Sequence, residues 1–380
     1  MELGILFKAG ITLSLMLGGG VALGMEREAI QNWQKQVKEF KQWCRQGDRE
    51  GCGDLAYLLA DGFPKIALQY GEKGCKKEDS LSCKVVGELY QRRGEREKGE
   101  KFYQKALLLG EKGCKKGDRR GCWVAGTIYA SGKLGKKEYK KAVDYFQKGC
   151  EQREYRSCID LGVMYEMGWG VKVDYQRAEE LYREMCDKGV GEGCNRLGML
   201  YYTGSGVSQS PESSYAYYRK GCELGNGESC TSLGEFFESG LKEWRDYARA
   251  KFYYRLGCKL GDSGGCIGLG AMYENGVGVP SNPKKAVTLY KKVCNNWDSY
   301  ICYKIGEMYA FGRVGRVDFK KALFYYQKAC KLGEGAGCRK IGWLYENGKE
   351  VELNFPKAKK YYQKGCRLGD SYSCAHLKEF

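Results

Sequence analysis

From residue 44 onward, the apolar positions fall into two alternating stripes. The first runs small residue, aromatic, cysteine at i, i+4 and i+8: Ala178, Tyr182, Cys186; Ala250, Tyr254, Cys258; Ala286, Tyr290, Cys294; Ala322, Tyr326, Cys330. The second starts near the next cysteine and sets an aliphatic residue, a glycine and an aromatic on one face: Leu197, Gly198, Tyr201; Leu269, Gly270, Tyr273; Ile305, Gly306, Tyr309; Ile341, Gly342, Tyr345. Both spacings trace one side of an α-helix. The pattern therefore predicts pairs of amphipathic helices and no strands. Glycine inside a helix costs about 1 kcal/mol relative to alanine. Its return in successive units, from Gly87 to Gly342, predicts close approach by a neighbouring helix.

Two kinds of connection separate the stripes. The short one lies between two cysteines, as in Cys258-Lys-Leu-Gly-Asp-Ser-Gly-Gly-Cys266. Gly261 suits the left-handed conformation that ends a helix, and Asp262 suits the cap of the next. Gly47-Asp48, Gly117-Asp118 and Gly369-Asp370 repeat the pair. The longer connection carries G-x-G-V, as in Gly204-Ser205-Gly206-Val207 and Gly276-Val277-Gly278-Val279. No Gly-Lys-Ser/Thr follows, so these loops do not read as phosphate loops.

The 20 cysteines set the period. They form ten pairs with a separation of 8, and the first members recur at steps of 31, 39 and then 36. A period this strict marks a repeat array, although 380 residues would otherwise suggest two or three domains. Two helices meeting at a tight turn bring such cysteines within disulfide range. The expected pairs are Cys44–Cys52, Cys75–Cys83, Cys114–Cys122, Cys150–Cys158, Cys186–Cys194, Cys222–Cys230, Cys258–Cys266, Cys294–Cys302, Cys330–Cys338 and Cys366–Cys374. Residues 1–24 read as a secretory signal peptide, with Lys8, an apolar run from Ala9 to Leu17, and Ala22-Leu23-Gly24 at the cleavage positions. Secretion to an extracellular or periplasmic space agrees with a disulfide framework. Residues 25–43 read as an N-terminal capping helix with Trp33, Val37 and Phe40 on one face, and residues 44–380 as the solenoid. No later stretch approaches the length of a membrane span.

The formal net charge is +17, and Lys8 and Glu2 cancel within the leader. A positive field favours anionic partners such as cell-wall polymers, acidic proteins or lipid surfaces. The basic residues form no nucleic-acid reading motif, and nucleic acid is not an expected partner.

A repeat of 36 residues with a G-x-G-V loop and a K-A-x-x-x-Y helix resembles Sel1-like repeats, relatives of the tetratricopeptide repeat. With Cys-x7-Cys in every unit it resembles the Helicobacter cysteine-rich protein family. Lys321-Ala322, Tyr326, Cys330, Cys338, Gly342, Tyr345 and Gly348 carry the likeness, which covers about residues 30–380. The resemblance implies a secreted, disulfide-linked α/α superhelix. It also implies penicillin binding with slow β-lactam hydrolysis, a β-lactamase activity. The short first step, the long second step and Arg153-Glu154 in place of Gly-Asp depart from the pattern.

The residues themselves offer little catalytic chemistry. Two S-x-x-K strings, Ser239 to Lys242 and Ser281 to Lys284, lack the S-D-N and K-T-G companions of serine β-lactamases. The single histidine, His376, falls in the terminal segment and is expected to do little, and no metal or cofactor site is expected. The catalytic residues of any hydrolase stay unassigned. Tyr202, Tyr217, Tyr253, Tyr325 and Tyr361 stand beside the core register and suit a peptide or glycan groove. The reading that results is a secreted, disulfide-stapled repeat scaffold whose groove binds a peptide, a protein or a cell-wall fragment. The alternative is a β-lactam-binding hydrolase.

Overall fold

A computed structural model describes residues 20–240, 242–295 and 298–378. The expected leader lies outside the described residues up to position 19. Among the described residues the regular secondary structure is helical, with no strand. In chain order the helices are α1 (Gly20–Arg45), α2 (Arg49–Leu59), α3 (Pro64–Lys76), α4 (Ser80–Arg92), α5 (Arg96–Lys115), α6 (Arg119–Ser131) and α7 (Tyr139–Glu151). Next come α8 (Tyr155–Met167), α9 (Tyr175–Asp187), α10 (Gly191–Thr203), α11 (Pro211–Glu223), α12 (Gly227–Ser239) and α13 (Tyr247–Lys259). The last are α14 (Ser263–Asn275), α15 (Pro283–Asn295), α16 (Ser299–Ala310), α17 (Phe319–Lys331), α18 (Gly335–Glu346), α19 (Phe355–Arg367) and α20 (Ser371–His376). None of the described helices is long and apolar enough to cross a membrane.

The short turns follow from their glycines and aspartates. Gly47, Gly117, Gly261 and Gly369 take φ of 97°, 84°, 96° and 90°. The aspartate after each accepts a backbone N–H of the next helix, for example Asp262 from Gly265 at 2.9 Å and Asp370 from Ser373 at 2.9 Å. At the departure from this pattern, Arg153 adopts the same left-handed conformation at φ 64°, and Glu154 makes no side-chain cap. The turn geometry therefore survives without its usual residues.

The helical glycines seat aromatic rings. A Cβ on Gly162 would come within 2.5 Å of the Tyr182 ring, and one on Gly198 within 2.6 Å of Tyr218. Gly126 faces Phe146, and Gly234, Gly270, Gly306 and Gly342 face Tyr254, Tyr290, Tyr326 and Tyr362 in the same way. These rings are the buried aromatics of the next helix. Apart from Tyr218, the tyrosine hydroxyls then reach a carboxylate at the far edge of the ring: Tyr182 donates to Glu166 at 2.9 Å, Tyr290 to Glu274 at 2.8 Å and Tyr362 to Glu346 at 2.6 Å.

All ten cysteine pairs are joined across their short turns, with Cα separations of 4.5 to 4.9 Å. Such close backbones leave little room beside the bond. The residue preceding one cysteine is accordingly small where its opposite is larger. Gly51 faces Trp43, and Gly193 faces Met185, whose Cβ a Cβ on Gly193 would meet at 2.7 Å. In Gly74/Ser82, Gly149/Ser157 and Gly221/Ser229 the sides are exchanged. Val293 and Ile301 are both large, and the Cys294–Cys302 pair between them has the widest Cα separation, 4.9 Å.

The repeats wind tightly enough for one turn of the superhelix to touch the next. Asn32 on α1 donates to the Glu223 carbonyl at the end of α11 at 2.8 Å. Gly62 lies against Gly261, where a Cβ would meet the opposing Cα at 2.8 Å.

Candidate functional site

The even-numbered helices supply the inner face. Its direction is shown by side chains from well-separated repeats that meet across the axis. Arg156 on α8 donates to Asp54 on α2 at 2.7 Å, although 102 residues separate them. Arg120 on α6 pairs with Glu50 at 3.0 Å and reaches Asp54 at 3.4 Å. The Arg156 guanidinium lies over the rings of Tyr57 at 4.8 Å and Trp123 at 4.9 Å. The Lys84 ammonium sits 4.7 Å from the Trp123 centroid, and the Trp123 indole donates to Asp160 at 2.7 Å. Burial raises the carboxyls of Asp160 and Glu192 above the ordinary range and lowers Lys84. In the first half of the molecule the axis is thus filled by a network of the protein's own charges and rings.

The same register opens into a pocket near the C-terminal end. Tyr372 occupies the position of Arg156 six 36-residue steps on, and Lys340 and His376 occupy that of Asp160. Together with Trp343, Phe311 and Phe319 they line a cavity of about 460 Å³ between α16, α18 and α20. Tyr372 is 71% exposed, Phe311 63% and Trp343 40%. The polar groups around these rings are already paired. Arg339 bonds Asp370 at 3.1 Å and lies 5.2 Å from the Tyr372 centroid. Lys340 pairs with Glu307 at 3.1 Å and lies 5.5 Å from the Phe311 centroid. His376 Nε2 is 3.1 Å from Glu346, the carboxylate that also accepts from Tyr362. The result is an open apolar slot with oriented cations on one wall and a carboxylate–imidazole pair at its end. Such a slot suits a ligand with an apolar or aromatic group and a polar backbone.

Several expected site residues lie elsewhere. Tyr217, Tyr253, Tyr325 and Tyr361 stack face to face on Tyr201, Phe237, Tyr309 and Tyr345, with centroids 5.6 to 5.9 Å apart. Tyr202 packs on Phe236. The four stacked pairs each join an even helix to the odd helix after it and form no groove platform, whereas Tyr202 bridges the even helices α10 and α12. Ser239 and Ser281 donate to the carbonyls of Glu235 at 2.9 Å and Glu274 at 3.2 Å, which gives both hydroxyls a helix-end role. Neither lines the pocket. His376, expected to do little, is a pocket residue, and the exposed rings of Trp343 and Tyr372 were not singled out by the repeat pattern.

The Sel1 repeat profile matches residues 120–153, 156–190, 191–226, 227–262, 263–296, 299–334 and 335–370. The chain belongs to the Sel1-repeat family. In that register each Sel1 repeat opens with an even-numbered helix, so bonds such as Cys150–Cys158 and Cys222–Cys230 link one Sel1 repeat to the next. A Sel1 repeat protein from Oxalobacter formigenes is similar at 26% identity, covering 67% of this chain and 99% of its own, with a TM-score of 0.51. The c5321 protective antigen of uropathogenic Escherichia coli is 26% identical over 82% of this chain, with a TM-score of 0.49. This chain spans 66% of the antigen's length. Helicobacter pylori cysteine rich protein B is 32% identical over 35% of this chain and 96% of its own, with a TM-score of 0.29. A comparison with curated protein sequences gave no match.

Proposed function

We propose that this Sel1-repeat scaffold is exported, is stapled by its disulfides outside the cytoplasm, and binds a peptide segment of a partner protein in the pocket between α16, α18 and α20. The exposed rings of Phe311, Trp343 and Tyr372 on the inner face carry this reading. Surface aromatics gathered in a concave site, with their neighbouring charges already satisfied, are the anchors that interfaces use. The leader-like residues 1–24 and the absence of free cysteines among the described residues support export. A peptide library selected on the oxidised protein, followed by calorimetry with the selected sequences, tests the site. Trp343→Ala is expected to weaken binding by about 2 kcal/mol or more, while Trp169→Ala, an exposed ring outside the pocket, leaves it unchanged. Equal affinity in both variants would overturn the assignment.

A further inference from the structure

The charge of this molecule is not spread evenly over its helices. Four odd-numbered helices, α13, α15, α17 and α19, carry four, four, four and five Lys or Arg, seventeen in all, and no Asp or Glu. The odd helices before them are mixed; α9 alone holds Glu179, Glu180, Glu184 and Asp187. The cations of the last four form an ordered row. Arg249, Lys285, Lys321 and Lys357 occupy one register position at steps of 36. All four are exposed. Each lies over an aromatic ring of the preceding even helix: Arg249 over Phe237 at 5.2 Å, Lys285 over Tyr273 at 5.1 Å, Lys321 over Tyr309 at 5.4 Å and Lys357 over Tyr345 at 5.3 Å. The rings, with the capping Asp246 at 3.4 Å from Arg249 and Asp318 at 2.7 Å from Lys321, hold the charges at fixed intervals and so reduce the entropy lost when a ligand orders them. Within each odd helix, further exposed cations continue the charge away from this row, among them Lys259, Lys292, Lys331 and Lys364.

We infer that the surface of α13, α15, α17 and α19 binds an extended anionic glycan, a polymer whose repeated sulfate or phosphate groups meet the row of cations. Charge complementarity supplies the attraction. The shape selects the polymer. The array winds, as the contacts of Gly62 with Gly261 and of Asn32 with Glu223 show, and a row that follows a wound array suits a flexible chain better than a flat bilayer. The exposed ring of Phe324 stands between Lys320, Lys321 and Lys331 and offers no continuous apolar face for insertion into lipid. This surface is separate from the inner-face pocket, and its test does not depend on the peptide reading.

The test uses the full oxidised chain with heparin as a sulfated glycan probe, titrated over a range of salt concentrations. Binding is expected to weaken linearly on a log–log plot. The Lys285→Gln/Lys321→Gln/Lys357→Gln variant should lower that slope by about one for each cation removed. The corresponding triple Lys→Arg variant should restore it, which separates charge from misfolding. Lys101→Gln/Lys112→Gln/Lys115→Gln on α5 should keep the slope of the unaltered protein. Equal losses in the α5 and row variants would overturn the inference, as would binding to phosphatidylglycerol vesicles without binding to heparin.

Discussion

Gly162 is poorer than alanine for its helix by about 1 kcal/mol, yet alanine there would drive a methyl group into the Tyr182 ring. The ring is fully buried and its hydroxyl is held by Glu166, so it cannot swing aside without breaking a hydrogen bond. Gly162→Ala is therefore expected to destabilise the repeat by about 1–3 kcal/mol, measured as a lower urea midpoint. A variant as stable as the parent would mean that the ring gives way freely. Asp160 poses a different problem at the same scale. Burial raises its carboxyl above the ordinary range, against the hydrogen bond from Trp123 and the charges of Lys84, Arg196 and Arg156. A folded-state pKa above the unfolded one means that the native state holds the proton more tightly. Stability from this group is thus lost as pH rises from the unfolded carboxylate range near ~4. Asp160→Asn keeps an acceptor for Trp123 and removes the titration. Its melting temperature relative to the parent should rise between pH 4 and pH 7; a constant difference would contradict the assignment. The roles of Gly162 and Tyr182 were readable from spacing, since each returns with the helical period. That of Asp160 was not, because its surroundings come from helices far away in the chain.

Helices joined by the long loops generally run closer together along their length than helices joined by the cysteine turns. The disulfides therefore sit at the sparser junctions, and from Cys150–Cys158 to Cys330–Cys338 these are where one Sel1 repeat meets the next. The α15–α16 junction is among the sparser ones in the interior of the array, and there, with Val293 and Ile301 both large, the cysteine Cα atoms are furthest apart. Replacing Cys294 and Cys302 together by alanine is expected to cost about 2.6 kcal/mol from the loss of a nine-residue ring. In an array of nearest-neighbour units the loss should be local. Hydrogen exchange should quicken in α15 and α16 and stay slow in α7 and α8; uniform acceleration would show that the array unfolds as a whole. These boundaries were legible in the sequence because glycine, aspartate and cysteine mark each turn. The tyrosines beside the register were not. Tyr217 and Tyr325 show the same spacing whether they face a groove or a neighbouring ring, and only the packed structure decides.

Across the whole molecule, helix α1 ties the first superhelical turn to the second. Trp33 packs on Phe63 at 6.0 Å and also against the cluster of Tyr218, Phe236 and Tyr254. Trp33→Ala should cost roughly 2 kcal/mol, below the figure for a fully buried ring, and should enlarge the radius of gyration in small-angle scattering. An unchanged radius would show that the turns stay together without it. The sequence displayed the array but not its winding, since the bond from Asp54 to Arg156 and the contact of Gly62 with Gly261 depend on small rotations accumulated over several repeats. The pocket was hidden for the same reason: Arg156 and Tyr372 share a register position, yet one is sealed across the axis and the other is exposed. The spacing of the cysteines also governs how the chain reaches this state. Every native partner lies 8 residues away, while the next cysteine along lies 23 to 31 residues beyond each completed pair. Shorter loops close more readily, by about 1 kcal/mol over such a difference in length. Oxidation can then proceed in step with emergence of the chain, one staple at a time, and twenty thiols reach a single arrangement with little need for reshuffling.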